Sequence, residues 1–331
     1  MIKAPPEFRA LTHELSTSTW TLATIGVLFE SGIADELNEW RSLEDLATRC
    51  PALSMIRIER CLALAATVGV VVVEGSRYRL ADGVAPFVAP PMRASILGDI
   101  RSTLMQALAM LDASAAPRVE HGWRHTNAAL LQAQGDASTA VVNILKMGLI
   151  SAMGDLAARL EEEGARFLDI GVGVGGIAIG MCRAFPRLQV LGVDSYDVPL
   201  SIAAENVKRA GLEGRIRLLQ TTIETLDEKQ TFDLAWLPTF FINEAALPAA
   251  TARAHAALKP GGWIIFPAGM GPGASEPARE VSALLTHLWG GQSLSPDRAE
   301  SLMKEAGFTG VRLMPGPPWA PAMLIGQASA P

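Results

Sequence analysis

Phe167-Leu-Asp-Ile-Gly-Val-Gly-Val-Gly-Gly176 leaves this chain few ways to fold. A short apolar run with strand character closes on glycines at 171, 173, 175 and 176, then passes into helical periodicity. Glycines there let the backbone approach a ligand closely and leave N–H groups open at a helix start. From that point the pattern alternates. Strands are predicted at 166–170, 189–193, 215–220, 232–237 and 262–267, with helices over 175–185, 199–210, 244–258 and 277–289. Such alternation builds an open parallel sheet with helices on both faces. A helix over 296–306 then precedes strands at 310–314 and 322–327, joined by the short link Pro315-Gly-Pro-Pro-Trp319. So short a link cannot make a parallel crossover, and these two strands are expected to be antiparallel neighbours.

Ahead of this α/β region the pattern is different. Trp20, Ile25, Leu28, Phe29, Ile33 and Leu37 recur at helical spacing within residues 8–40, interrupted by Gly26 and Gly32. Ser42-Leu-Glu-Asp45 is a capping box that opens a helix running to Cys50. Pro51 and Ser54 break and restart the chain, and a second helix spans Met55–Val68 before Gly69. The period then changes to two: Val70–Glu74 and Arg77–Leu80 flank Gly75-Ser76 as a tight hairpin. Helix, helix, hairpin is a winged-helix order. It serves either to bind DNA or, as a reused fold, to dimerise. Residues 41–80 hold six arginines against four acids, a weak footprint for phosphate, which favours dimerisation. The expected division is a helical winged-helix dimerisation domain over 1–92, a helical linker or lid over 93–163, and the α/β domain over 164–331.

The lid segment contains Glu120-His-Gly-Trp-Arg-His125. His121 and His125 would share a helix face, which suggests a metal pair, but Gly122 weakens such a helix and no further ligand follows. No metal is expected. The segment reads otherwise as a polar loop over the next domain, or as a lid over a substrate, with Trp123 supplying apolar area and His125 a proton-transfer group.

Composition narrows the function. With 331 residues there is room for about two domains. Hydrophobic residues make up 49% and charged residues 19%, enough apolar material for a buried core. The net charge of −6 disfavours a protein whose task is gripping a nucleic-acid backbone. No apolar run is long enough for a membrane helix. The start, MIKAPPEFRALTHEL, has no apolar signal core, so a cytoplasmic protein is expected. Cys50, Cys61 and Cys182 are scattered and expected to be reduced and buried.

The second strand of the α/β region ends in Asp194, 18 residues beyond Gly176. An acid there can accept hydrogen bonds from two ribose hydroxyls. Gly171-x-Gly173-x-x-Gly176 also fits the dinucleotide fingerprint, so a nicotinamide oxidoreductase competes. Three features turn the balance. Asp169, two residues before the first glycine, can meet an ammonium group, which a pyrophosphate does not have. The second feature is the terminal antiparallel pair. The third is Leu258-Lys-Pro-Gly-Gly-Trp-Ile-Ile-Phe266 leading into the fifth strand.

At these residues the chain resembles class I S-adenosylmethionine-dependent methyltransferases, over about residues 165–328. The resemblance implies a Rossmann-like, seven-stranded, mostly parallel sheet and S-adenosylmethionine as cofactor. It implies that Asp169, Gly171, Gly173 and Gly175 wrap the amino-acid part of the cofactor. Asp194 would hold the ribose, with Ser195 and Tyr196 near the adenine. Thr222 and Ile223 stand where the family often places an acid–apolar pair, so here the acid is missing. Trp236, Leu237 and Pro238 would lie near the transferred methyl. With Leu43-Glu-Asp-Leu-Ala47, Tyr78-Arg-Leu80 and Ala306-Gly-Phe308, nearly the whole chain is similar to small-molecule O-methyltransferases of the hydroxyneurosporene and acetylserotonin type. That likeness implies a homodimer closing over a small methyl acceptor. Trp123, Trp236, Phe240, Phe241 and Trp289 are the expected acceptor pocket.

One departure affects the chemistry. Many members of that group carry a catalytic His shortly after the fourth strand. Here Trp236-Leu-Pro-Thr-Phe-Phe-Ile-Asn-Glu244 contains no His, Lys or Tyr, and Glu244 is expected to open the next helix. Candidate bases lie elsewhere, at His125 and at His287 in Leu284-Leu-Thr-His-Leu-Trp289. His13 and His255 read as surface helix residues. The acceptor is expected to be methylated on oxygen or carbon. A ligand-sensing winged-helix regulator without catalysis remains the non-enzymatic alternative.

Overall fold

The computed structural model describes residues 2, 4–90, 92–113, 123, 125–318 and 320–329, and the chain divides into two units, Met1–Ala109 and Met110–Pro331. The first unit contains α1 (Pro5–Glu30), α2 (Ile33–Glu36), β1 (Arg41–Ser42), α3 (Leu43–Arg49), α4 (Met55–Thr67), β2 (Val71–Glu74), β3 (Arg77–Leu80) and all but the last turn of α5 (Met92–Ala113). The helical pattern over 8–40 is thus two helices. Gly32, at φ 80°, breaks them apart in a conformation other residues avoid. The capping box forms as expected: the Asp45 amide donates to Ser42 Oγ at 3.1 Å and the Ser42 amide to Asp45 Oδ2 at 3.3 Å. The hairpin is joined by β1, a strand the sequence pattern did not show, in the antiparallel order β1-β3-β2. Leu28, Phe29, Ile33, Leu37, Leu46, Ile58, Leu62 and Leu80 fill its core. The first four turns of α1 are exposed, Phe8, Leu11, Leu15 and Trp20 included.

The second unit opens with three helices that the sequence assigned to the linker: α6 (Ala128–Ser138), α7 (Ala140–Ile144) and α8 (Leu156–Leu160). The α/β alternation follows as β4 (Arg166–Ile170), α9 (Gly176–Ala184), β5 (Gln189–Asp194), α10 (Asp197–Arg209), β6 (Ile216–Gln220), β7 (Phe232–Trp236), α11 (Leu247–Ala257), β8 (Leu258–Met270), α12 (Glu276–Leu288), α13 (Pro296–Glu305), β9 (Phe308–Leu313) and β10 (Pro321–Ala328). Seven strands form one sheet in the order β6-β5-β4-β7-β8-β10-β9. The first five run parallel, and β10 is antiparallel to both β8 and β9.

Successive residues of the central strands enter opposite layers, as the two-residue period of a strand requires. Phe167, Leu234 and Ile265 join the cluster under α9, while Leu168, Ala235 and Ile264 join the one under α11 and α13. Both layers are built of buried apolar side chains, so the strands read as continuous apolar runs. β8 is longer than the predicted 262–267 because Lys259–Gly262 is absorbed into the strand through a register shift against β7. α11 starts three residues later than predicted, so exposed Glu244 lies in the turn ahead of the helix and does not open it. Cys50 and Cys182 are buried, but Cys61 is only half-buried; all three are free. No helix among the described residues is long and apolar enough to cross a membrane.

Candidate functional site

The sheet reverses direction of growth between β4 and β7, and the crevice beyond the strand ends at such a reversal is where ligands bind in this architecture. Four strand ends meet there. β4 delivers Asp169 and the glycine loop, β5 delivers Asp194, β6 leads to Thr222 and Ile223, and β7 ends at Trp236, followed by Leu237 and Pro238. Their juxtaposition is fixed by backbone bonds. The Gly171 and Val172 amides donate to the Val193 carbonyl at 2.8 and 2.9 Å, and the Thr221 amide donates to the Asp194 carbonyl at 2.9 Å. Pro238 closes against the loop, its Cγ 3.5 Å from where a Cβ on Gly171 would stand.

Asp169 shares a sheet face with Phe167, between Gly192 on β5 and Trp236 on β7. It is 1% exposed, and neither carboxylate oxygen has a hydrogen-bond partner. Burial pushes its pKa up to about 7; the Ala178 amide opposes this, and the nearby Asp194 charge adds to the rise. A buried carboxylate with no partner carries a desolvation cost that a bound cation would remove. Asp194 is better supported. Its Oδ2 accepts from the Gly173 amide at 2.9 Å and its Oδ1 from the Tyr196 amide at 3.0 Å. Burial still raises its pKa, against the amides of Tyr196, Gly173 and Ser195. The loop amides of Gly171, Gly173 and Gly175 are therefore engaged within the fold, the last with the Val172 carbonyl at 2.9 Å. What these glycines offer a ligand is bare backbone, with Gly173 at φ 54° and Gly175 at φ 85°. Ile223 is buried, and Thr222 Oγ1 lies 3.3 Å from Thr225 Oγ1.

Beyond Pro238 the chain turns through Thr239–Phe241, anchored where Thr239 Oγ1 donates to the Pro267 carbonyl at 2.7 Å. This turn presents Phe240 and Phe241 to an aromatic cluster. Phe241 stacks on Trp289 at 4.9 Å and 17°, and Trp123 meets Phe241 edge-on at 5.5 Å and Trp289 at 5.8 Å. Phe240 lies 6.4 Å from Trp289. His125 packs against Trp123 at 4.5 Å, and burial lowers its pKa. Four of the five residues predicted to form an acceptor pocket thus come together, and one of the two candidate bases joins them. Trp236 is buried in the sheet core with Leu234 and Ile265. His287 is exposed on α12 and takes no part in these ring contacts.

The remaining histidines separate. His13 is exposed as expected, whereas His255 is half-buried, edge-on to Phe308 at 4.9 Å, which corrects its reading as a surface residue. The proposed His121–His125 helix face rests partly on His121, outside the described residues, and His125 is not helical. Among the described residues no three His, Cys, Asp or Glu side chains gather as metal ligands. Asp233, which the sequence reading passed over, lies at the far end of β7. It binds Arg159 at 2.9 Å, Lys259 Nζ at 2.8 Å and the Arg166 amide at 2.9 Å. The apolar letters around it in Phe232-Asp-Leu-Ala-Trp236 were the only signal that it would be buried.

Residues 167–262, from β4 into β8, match the methyltransferase domain family. The release factor glutamine methyltransferase of Rhodopirellula baltica is 36% identical over 88 residues, which is 26% of this chain and 30% of that protein. The chain therefore matches less than a third of that relative's length. Human N-acetylserotonin methyltransferase, solved in complex with SAM, superposes with a TM-score of 0.66 over 100% of both chains at 16% identity. CalO1, a methyltransferase in calicheamicin biosynthesis solved in its SAH-bound form, gives 0.59 over 99% of this chain and 100% of that one at 20% identity. The chain shares the fold of these two methyltransferases.

Proposed function

We propose that the protein is an S-adenosylmethionine-dependent methyltransferase of a small, fairly apolar acceptor. The unpartnered carboxylate of Asp169 carries this reading. S-adenosylmethionine brings an ammonium group to match it and, when bound, supplies an electrophilic methyl on a sulfonium. A pyrophosphate in the same place would set negative charge against a buried acid, and this weighs against the oxidoreductase reading. The Asp194 carboxylate, oriented by the Gly173 and Tyr196 amides, has acceptor capacity left for a ribose hydroxyl. Ser195, Thr222 and Ile223 border the adenine, while Leu237 and Pro238 floor the crevice. Trp123, Phe240, Phe241 and Trp289 form an apolar wall that holds the acceptor and excludes water, leaving methyl transfer to depend on alignment. Where the acceptor is a hydroxyl, His125 takes its proton. Burial keeps that imidazole neutral near pH 7, and residues 236–244 hold no His, Lys or Tyr to take its place. The N-terminal domain, 1–92, serves as a dimerisation module through the exposed apolar face of α1, in keeping with the cytoplasmic homodimer expected from the sequence.

Calorimetric titration with S-adenosylhomocysteine, NAD and NADP tests the reading. Micromolar binding of the first alone, weakened by Asp194→Ala, is the expected result. Folded protein that ignores S-adenosylhomocysteine would overturn it. Transfer of a labelled methyl from S-adenosylmethionine to a panel of planar phenols and their hydroxyl-free analogues then identifies the acceptor atom.

A further inference from the structure

α6 lies against the glycine loop at a separation only glycine permits. A Cβ on Gly135 would stand 2.0 Å from Val174 Cγ2, inside the loop itself. A Cβ on Gly176 would stand 2.4 Å from the Gly135 carbonyl oxygen, and one on Gly180 2.7 Å from Val142 Cγ2 of α7. The contact is reinforced from α10. Asn206 Nδ2 donates to the Val174 carbonyl at 2.8 Å and to Gln132 Oε1 of α6 at 2.9 Å. Gln132 is oriented in turn by Asp136, whose Oδ1 accepts from its Nε2 at 2.8 Å. Val174 adjoins Gly173, whose amide holds Asp194. The other end of α6 is capped by Asn127, whose Oδ1 accepts from the Ala129 and Leu130 amides at 3.0 and 3.2 Å, two residues after His125.

We propose that α6 is the mould of the cofactor loop: Gly135, Gln132 and Asn206 are positioning residues that set Val174, and with it the Gly173–Asp194 bond. Trp123 and His125 come just before the Asn127 cap of this helix, so the chain passes from the aromatic wall into the element that shapes the cofactor side. The inference rests on the methyltransferase reading only for the identity of the ligand; the shaping of the loop belongs to the free protein.

The steric cause gives a specific test. In Gly135→Ala, amide hydrogen exchange at residues 171–176 of the ligand-free protein should quicken about tenfold or more, and affinity for S-adenosylhomocysteine should fall by a similar factor. Adding Val174→Ala removes the opposing methyl groups and should restore both to within about threefold. Gly176→Ala meets backbone instead, so the same second change should not rescue it. Gln132→Met inserts no atom into the contact and should reproduce the faster exchange in milder form, which decides the matter if Gly135→Ala fails to fold. Exchange in Gly135→Ala equal to the wild type, or a double variant as impaired as the single, would overturn the proposal. Wild-type protein that never binds S-adenosylhomocysteine while its loop still responds would overturn the ligand assignment and leave the mould standing.

Discussion

Asp169 and His125 are shifted in opposite senses by the same cause, burial, and each shift has a measurable sign. The folded Asp169 carboxyl titrates near 7, above its unfolded value of 3.8, so the free protein loses stability from this group as pH rises between those values. An ammonium ligand favours the ionised form. Affinity for S-adenosylhomocysteine should therefore fall as pH drops below about 7, approaching tenfold per pH unit, with a proton released on binding that calorimetry in buffers of different ionisation enthalpy detects. Asp169→Asn should cut affinity about a hundredfold yet raise the melting temperature at pH 8, because it removes a buried unpaired charge. His125 behaves otherwise. Its pKa lies below the ordinary 6.5, so a rate that needs it neutral is kept above that pKa and lost as pH falls through it. His125→Gln should lower kcat on a phenolic acceptor about a hundredfold or more while leaving S-adenosylhomocysteine affinity unchanged. Asp169, like Asp194, was legible in the sequence from its offset to the glycines. The lack of a partner for Asp169 was not, since it depends on what three strands and α9 bring around it.

Elements were legible in proportion to how local their cause is. The capping box of α3, the stop at Gly32 and the period-two hairpin are fixed within a few residues, and each was readable from the letters. β1 is two residues long and exists only because β3 offers it an edge, so no periodicity announced it. α6 misled for a related reason. Its composition is that of a generic Ala- and Leu-rich helix, and its attachment to the glycine loop is written in contacts 40 residues away, from Gly135 to Val174 and Gly176. α1 leaves its own prediction. Phe8, Leu11 and Leu15 recur at helical spacing and, with Trp20, are 55%, 38%, 58% and 71% exposed. A single chain rarely leaves so apolar a helix face in water. The double variant Phe8→Glu, Leu15→Glu should shift sedimentation from dimer to monomer without changing the far-ultraviolet spectrum of the folded chain. A wild-type protein that sediments as a monomer would remove the dimer from the reading.

The whole α/β unit is pinned at the end of the sheet opposite its crevice by the Asp233 cluster. Burial would raise the Asp233 pKa, but Lys259, Arg159 and the Arg166 amide more than offset that and hold it below the ordinary carboxylate value. Its contribution is therefore full above the unfolded value of 3.8 and lost only as pH falls further, through the folded one. Asp233→Ala strands two cations beside a buried strand and should cost about 3 kcal/mol, read as a lower urea midpoint at an unchanged slope. At this scale the sequence was most informative. β-α alternation, helices on both faces and an antiparallel terminal pair all follow from apolar periodicity and link length. The lateral order of the last two strands did not follow, because a short link makes them neighbours without saying which one docks on β8. Their order bears on biogenesis. β10 sits between β8 and β9, so β9, although it leaves the ribosome first, has no edge to dock on until β10 has been synthesised and slotted in. Until then β8 stays an open, hydrogen-bonding border on the nascent protein, and a chaperone that shields strand edges would find its substrate there.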